Sequence, residues 1–328
     1  MNLTEKQKQL YESAKKDMKE YQTNGLFAKL DMHIHSTMSD GSFSIPQLIS
    51  IAKEFGLESI FITDHNTCLS GYEVLKSLPK ESLDNIEVSI GCEIATKIED
   101  PKTNKFIPIE ILSYFANPYK IQSFLDNYAF AKETSQNEQL KTLLDTCDKL
   151  GLEHSNDIIV PEGCYATEIL CRNLIKYENN KSYFLENAPR VWNEPKLFYK
   201  MCVSNPDSDF YIDTTASLPY YQDTVKTIND AGGHAIVAHM FLYSRNTEEY
   251  VELIMNHIVD TTNIYGFEAY HSSHTEKQRQ FIIDYATKSG LHYTGGTDFH
   301  SGPGTILGYG KKSYPVAIDK SCVNFFEN

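Results

Sequence analysis

His33-Ile34-His35 places two imidazoles at i and i+2. On a strand, alternate side chains face the same way, so such a pair can grip one metal ion. Alone, the pattern fits equally well one solvated and one packed histidine, because the chain has 11 histidines to spread. Its company points to chemistry. Asp40 follows in SDG, Asp64-His65 closes ESIFITDH, and Glu93 sits in GCEI. Later, His239 closes HAIVAH, and Asp298 and His300 close YTGGTDFH. Each stands at the carboxyl end of a strand-like apolar run, where barrel enzymes place their reacting groups. Packing accounts poorly for so many acids and imidazoles at strand ends, since buried charge without partners is costly.

The elements that must position these groups are short apolar runs alternating with helical patterns. FAKLDMHIH, ESIFITDH, IEVSIGCEI, IPIEILSYF, HAIVAH, IYGFEAY and LHYTGGTD read as seven strands. IPQLISIAKEFG, with Pro46 near its start, apolar Leu48, Ile49, Ala52 and Phe55, and Gly56 as a stop, reads as a helix between the first two. EKQRQFIIDYATKSG does the same before the last. Such alternation predicts parallel βαβ units, and seven of them a closed or nearly closed barrel. Leu10, Ala14, Met18 and Tyr21 mark an amphipathic helix from about Thr4 to Gly25, packed outside the main domain. The rhythm breaks from about Ala116 to Asp223, where helical patterns replace strands; this stretch carries Arg172 and Arg190, two of the chain's four arginines. The domain reading is therefore an extension over 1–26, a barrel from 27–115 and 224–328, and an inserted, mostly helical subdomain over 116–223.

The 328 residues are 41% hydrophobic, 23% charged and 12% aromatic, globular proportions that rule out disorder as the main state. With 30 basic against 44 acidic residues the formal charge is −14, which repels a polyanion at long range and argues against tracking along a nucleic-acid duplex. No run approaches the roughly 18 apolar residues of a membrane helix, and the first residues lack a signal-peptide core. Seven scattered cysteines without a C-x-x-C pair suit reduced thiols. The expectation is a soluble, cytoplasmic, monomeric protein without a membrane partner.

DMHIHSTMSDGS, FITDHN, GCEI, AIVAHM and GGTDFHS resemble, in order, the motifs of the PHP (polymerase and histidinol phosphatase) superfamily. They look most like its single-chain phosphoesterases acting on nucleoside 3′,5′-bisphosphates and short 5′-phosphorylated RNA ends. The resemblance runs from about Phe27 to Gly310 and implies a PHP-type distorted (β/α)7 barrel with an inserted helical subdomain. It also implies up to three divalent ions, Mn²⁺, Zn²⁺ or Fe²⁺. His33, His35, Glu93 and Asp298 would hold the first, with Glu93 bridging to a second that also takes His239, and Asp40, His65 and His300 would hold the third.

The chain departs from that pattern at Met240, which replaces the proline of the usual A-H-P motif and alters a turn rather than the ligand, and at Glu110. The strand after GCEI usually supplies a histidine to the second metal, and Glu110 of IPIEILSYF stands there. Either the carboxylate replaces the imidazole, favouring a harder metal or a weaker site, or Glu110 is an acid at the barrel edge. His271 and His274, in EAYHSSH, are candidates for substrate contact, and Arg172 for a phosphate clamp. His234, at the start of its strand, reads as structural, His154, His257 and His292 as surface or packing residues, and Cys92 as core filler.

The implied reaction is metal-assisted hydrolysis of a phosphomonoester or a short 5′-phosphorylated oligonucleotide end, with His239, Asp298 and Glu93 carrying the chemistry. Histidinol phosphate is an alternative substrate. An amidohydrolase would want a metal-bridging lysine where Glu93 stands. A metal-binding accessory domain without turnover is the non-enzymatic alternative. No Gly-x-Ser-x-Gly elbow or Walker-type loop offers a competing mechanism.

Overall fold

A computed structural model describes residues 2–128, 136–161, 165–205, 207–213, 215–243, 247–300, 305–311 and 314–326. The chain divides into two compact units, Met1–Tyr128 with Leu218–Asn328, and Ala129–Ser217.

The first unit opens with α1 (Glu5–Thr23), started by a capping box in which the Thr4 and Gln7 side chains each accept from the other's backbone N–H. One face of α1 buries Tyr11, Met18 and Tyr21, and Tyr11 stacks on Phe55. Next come β1 (Leu30–Ile34), α2 (Ile45–Phe55), β2 (Ser59–Ile62), α3 (Leu69–Ser77) and β3 (Glu87–Ile90). The α2 helix has Pro46 in its first turn and ends on Gly56 in the left-handed region, φ +83°. It buries Leu48, Ile49, Ala52 and Phe55, each large side chain contributing about 1.5–3 kcal/mol by leaving water. The strands β4 (Cys92–Glu99) and β5 (Phe106–Tyr114) follow, then α4 (Pro118–Leu125).

In the second unit, α5 (Gln136–Leu150), α6 (Ala166–Leu174) and α7 (Lys181–Asn187) surround a core of their own that includes Leu143, Leu170, Phe184, Phe198 and Phe210. The chain then returns to the first unit through α8 (Tyr221–Asp230), β6 (His234–Val237), α9 (Glu248–Thr261), β7 (Gly266–His271), α10 (Glu276–Lys288) and β8 (His292–Gly296). Short strands β9 (Thr305–Ile306), β10 (Gly310–Lys311) and β11 (Tyr314–Pro315) form a small antiparallel sheet. The α4 helix, expected within the insertion, packs on α3 and α8 of the first unit.

The main strands form two sheets, parallel β1-β2-β3 and mixed β4-β5-β6-β7-β8. A closed barrel of seven parallel strands is not what forms, because β4, β5 and β6 pair antiparallel. The cause is local. Only six residues join β4 to β5, too few for a parallel crossover. They make a tight turn in which the Asp100 carboxylate accepts from Lys102 N and Thr103 Oγ1. The run IEVSIGCEI is likewise two strands, broken at Gly91, where a Cβ would fall 2.5 Å from the Ser113 carbonyl oxygen. The two sheets meet through single bridges rather than continuous ladders, His65 with Glu93 and Ile34 with Phe299. At the second junction Gly296 lets β8 approach β1, since a Cβ there would lie 2.2 Å from His33 Cβ. Both junctions lie at the strand ends that carry the imidazoles and acids.

Candidate metal centre

The β1 strand and the loop after it bring His33 and His35, both fully buried, against Glu93 at the start of β4 and Asp298 just past β8. His33 Nε2 lies 3.1 Å from Glu93 Oε2 and 3.6 Å from Asp298 Oδ1. His35 Nε2 lies 3.2 Å from each of the same two oxygens. His65, after β2, places Nδ1 3.2 Å from Glu93 Oε2 and 3.8 Å from Glu110 Oε1 on β5. His239, after β6, sets Nε2 2.9 Å from Glu93 Oε1 and 3.3 Å from Glu110 Oε2. On the outer side, Asp40 faces His300 Nε2 at 3.2 Å and His65 Nε2 at 3.8 Å. All nine sequence-derived ligand candidates thus converge on one cleft. Among the described residues, ligand atoms close enough to share an ion occur in three groups: His33, His35, Glu93 and Asp298; His35, Asp40, His65 and His300; and His65, Glu93 and Glu110.

The donor set fits divalent cations on a direct observation. His33 Nε2, His35 Nε2 and Glu93 Oε2 are sealed from solvent and crowd one another at 3.1 and 3.2 Å, yet none of these contacts is aligned as a hydrogen bond. Buried polar atoms normally find one, so lone pairs turned towards one another mark a place for a positive charge. Two of the ligand candidates hold strained backbone: His239 and Asp298 have positive φ, +24° and +55°.

The charges match that reading. Burial opposes ionisation of Glu93, but the imidazoles of His33 and His65 and the hydrogen bond with His239 hold its carboxyl well below the usual range. Asp298 is held well below its usual range in the same way, by His33, His271 and His35 against burial. Asp40 sits at about 2, where His300 and His65 outweigh burial. His35 and His239 rise to about 9, their facing carboxylates overcoming the cost of burial. Glu110 moves the other way, to about 7, through burial and repulsion from Glu93.

Glu268, on β7 and fully buried, went unnoticed in the sequence. Its Oε1 accepts from His33 Nδ1 at 3.0 Å, and its Oε2 accepts from the His239 backbone N–H at 2.9 Å. A carboxylate on the far nitrogen fixes a ligating histidine's tautomer and leaves Nε2 as the free lone pair. Its signal was an acid within IYGFEAY, a run otherwise apolar or aromatic enough to be a buried strand. Asp31 was also missed: its buried carboxylate accepts from Thr297 N, Thr297 Oγ1 and Gly308 N, tying β1 to the end of β8.

The substrate candidates divide. His271 is buried, its Nδ1 accepts from Ser273 N, and its Nε2 lies 3.4 Å from Asp298 Oδ2, so it touches the ligand set rather than an open surface. His274 is fully buried, bonded through Nδ1 to the Ala269 carbonyl, with its pKa pushed down to about 3 by burial and by His271. A neutral, enclosed imidazole is not placed to meet substrate. Arg172, in the second unit, turns its guanidinium back on Glu168 of its own helix, with contacts of 2.9 and 2.7 Å. Cys92 is buried and its thiol is pushed well up by burial, as core filler requires. His234 is half-buried beside Tyr265, away from the cleft. No helix among the described residues is long and apolar enough to cross a membrane.

A family model for the PHP domain matches residues 31–297. The 5′-3′ exoribonuclease of Haemophilus influenzae is 26% identical over 272 residues, covering 83% of this chain and 90% of that protein. The phosphoribosyl 1,2-cyclic phosphate 1,2-diphosphodiesterase of Eggerthella lenta is 22% identical over 84% of this chain and 95% of its own length. Among solved structures, an amidohydrolase from Chromobacterium violaceum with bound sulfate aligns with TM-score 0.58 and 18% identity, over 90% of this chain and 97% of that one. A candidate metal-dependent phosphoesterase from Bifidobacterium adolescentis aligns with TM-score 0.53 and 20% identity, over 90% and 94%. These two likenesses are of fold.

Proposed function

This chain belongs to the PHP domain family as a metal-dependent phosphoesterase, and we propose that it hydrolyses small phosphorylated substrates, foremost nucleoside 3′,5′-bisphosphates and short 5′-phosphorylated nucleotides. The observation that carries the reading is the sealed set of atoms without an aligned hydrogen bond, His33 Nε2, His35 Nε2 and Glu93 Oε2. They are the lone pairs a cation would take. Nucleotide chemistry in the Haemophilus relative and a phosphoribosyl ester in the Eggerthella relative support the substrate class. The charge of −14 supports a short ligand over a long one.

In this reading His33, His35, Glu93 and Asp298 hold one ion, Glu93, Glu110 and His239 a second, and Asp40, His65 and His300 a third. When bound, divalent cations supply Lewis-acid charge for the phosphoryl oxygens and activate a water for in-line attack. The chain's own groups do the rest. Glu93 and Asp298 supply the negative charge that gathers the cations, and Glu268 keeps His33 in the tautomer whose Nε2 is free. His239 faces both glutamates through Nε2, the atom it would offer to the second ion.

Metal analysis tests the assignment. Purified protein should carry up to three equivalents, falling in Asp298→Asn and in His35→Ala; unchanged content in both variants contradicts the ligand set.

A further inference from the structure

The β4–β5 hairpin rises past the metal cleft. β6 ends at Val237, opposite Ile111, whereas β4 runs on to Glu99 and β5 starts at Phe106, so the tip of the hairpin stands clear of the neighbouring strand end. Along β4, Glu93, Ala95 and Lys97 share one face, because side chains alternate. The register on β5 sets Glu110 opposite Ala95 and Pro108 opposite Lys97, with Phe106 one pair further on. The face that carries Glu93 and Glu110 into the cleft therefore continues outward as a wall above it.

Rings around a cation build that wall. Tyr220, in the first unit, lies beside β4, where Lys97 N donates to the Pro219 carbonyl at 2.9 Å and Lys97 and Tyr220 form a parallel bridge. The Tyr220 carbonyl accepts from Thr224 N in the first turn of α8, so its backbone is tied on both sides. The ammonium of buried Lys97 stands 4.6 Å from the Tyr220 ring centre and 5.3 Å from that of Phe106. Phe106 meets Tyr220 edge-on, with centroids 5.6 Å apart and planes at 75°. A cation and a ring edge hold the phenol in place, yet Tyr220 remains 46% exposed. An aromatic ring fixed and left open beside a metal cleft offers its π surface to a flat partner.

Spacing selects the partner. Lys97 lies two residues beyond Ala95, the partner of Glu110, about 7 Å along the strand. That is the scale of one sugar ring, so a phosphate held between Glu93 and Glu110 would lead its ribose outward along the wall and present the base to Tyr220. We propose that Tyr220, backed by Lys97 and Phe106, is the stacking platform for the nucleobase of a nucleotide whose phosphate sits in the metal cleft. The proposal rests on the reading of the cleft as a nucleotide phosphoesterase and names the residue that selects base-bearing substrates.

The test measures binding without turnover. Calorimetry on Mn²⁺-loaded protein compares a nonhydrolysable phosphonate analogue of adenosine 5′-monophosphate with the same analogue of ribose 5-phosphate, which lacks the base. Wild-type protein should bind the adenosine analogue roughly tenfold or more tightly. Tyr220→Leu, which keeps apolar bulk and removes the ring, should erase that advantage and leave affinity for the ribose analogue unchanged, whereas Tyr220→Phe should keep it. Phe106→Leu should reduce it. With adenosine 3′,5′-bisphosphate as substrate, Tyr220→Leu should raise KM by a similar factor and leave kcat nearly unchanged. Near-UV circular dichroism identifies a variant that fails to fold, and Phe106→Leu then carries the comparison. An undiminished base advantage in Tyr220→Leu, or equal weakening of both analogues, overturns the proposal. So does wild-type protein indifferent to the base; if it still releases phosphate from baseless esters, the phosphoesterase reading stands. A base advantage lost in Tyr220→Leu, in protein that hydrolyses nothing, supports the platform and contradicts only the proposed activity.

Discussion

Glu268 holds His33 and His239 at once, accepting from Nδ1 of the first at 3.0 Å and from the backbone N–H of the second at 2.9 Å. One carboxylate thereby fixes a tautomer on β1 and a strained backbone after β6, where His239 has φ +24°. Glutamine cannot serve both, because its amide NH2 would face one of the two donors. Glu268→Gln should weaken metal binding roughly 10–100-fold while the protein stays folded. Competition against a calibrated chelator measures this, and unchanged affinity would refute the positioning role.

The metal-free cleft should respond to pH in a defined direction. His35 and His239 rise from 6.5 to about 9 in the folded chain because carboxylates face them, despite burial. Their contribution to stability is complete below about pH 6.5 and is lost as pH climbs through about 9. Metal binding runs the other way, since it needs those imidazoles deprotonated. Urea unfolding of stripped protein should therefore show falling stability from pH 6.5 to 9.5, while stabilisation by added Mn²⁺ grows over the same range. A flat profile for the stripped protein would contradict the charge pairing.

Asp31 makes a separate, structural prediction. Its carboxylate receives Thr297 N, Thr297 Oγ1 and Gly308 N at 2.9, 2.6 and 2.8 Å. Asp31→Asn turns an NH2 towards one of these donors and should destabilise the fold by roughly 2–3 kcal/mol. Denaturant midpoints at constant slope would show it.

Arg172 is engaged by Glu168 one helical turn away and is largely exposed. Such pairs contribute about 0.3–0.5 kcal/mol. Arg172→Ala should leave stability and the KM for phosphorylated substrates nearly unchanged. A large rise in KM with kcat preserved would instead make it the phosphate clamp suggested by the sequence.

Much of the cleft was legible because ligands of this kind cluster at strand ends, and strand ends are visible as apolar runs stopping at His, Asp or Glu. Most of the ligand candidates came from that signal, with Glu110, inside its strand, suggested only by the family resemblance, and the structure brings all nine together. Sheet direction was less legible. The turn chemistry of Asp100-Pro101 and Asn104 was present in the sequence, yet IPIEILSYF was read as one more parallel strand. Glu268 escaped notice because it lies inside its strand rather than at the end, and its partners are 235 and 29 residues away. His274 looked accessible from its place after a strand. Only the packing of Phe241 and His271 around it shows that it is enclosed.

The central claim is phosphoester hydrolysis in this cleft. Phosphate release by Mn²⁺-loaded protein from adenosine 3′,5′-bisphosphate, adenosine monophosphate, histidinol phosphate and 5′-phosphorylated dinucleotides tests it most directly. Turnover is expected, greatest on the bisphosphate or the dinucleotides and abolished in Asp298→Asn. Absence of release from every substrate, with metal demonstrably bound, would contradict it.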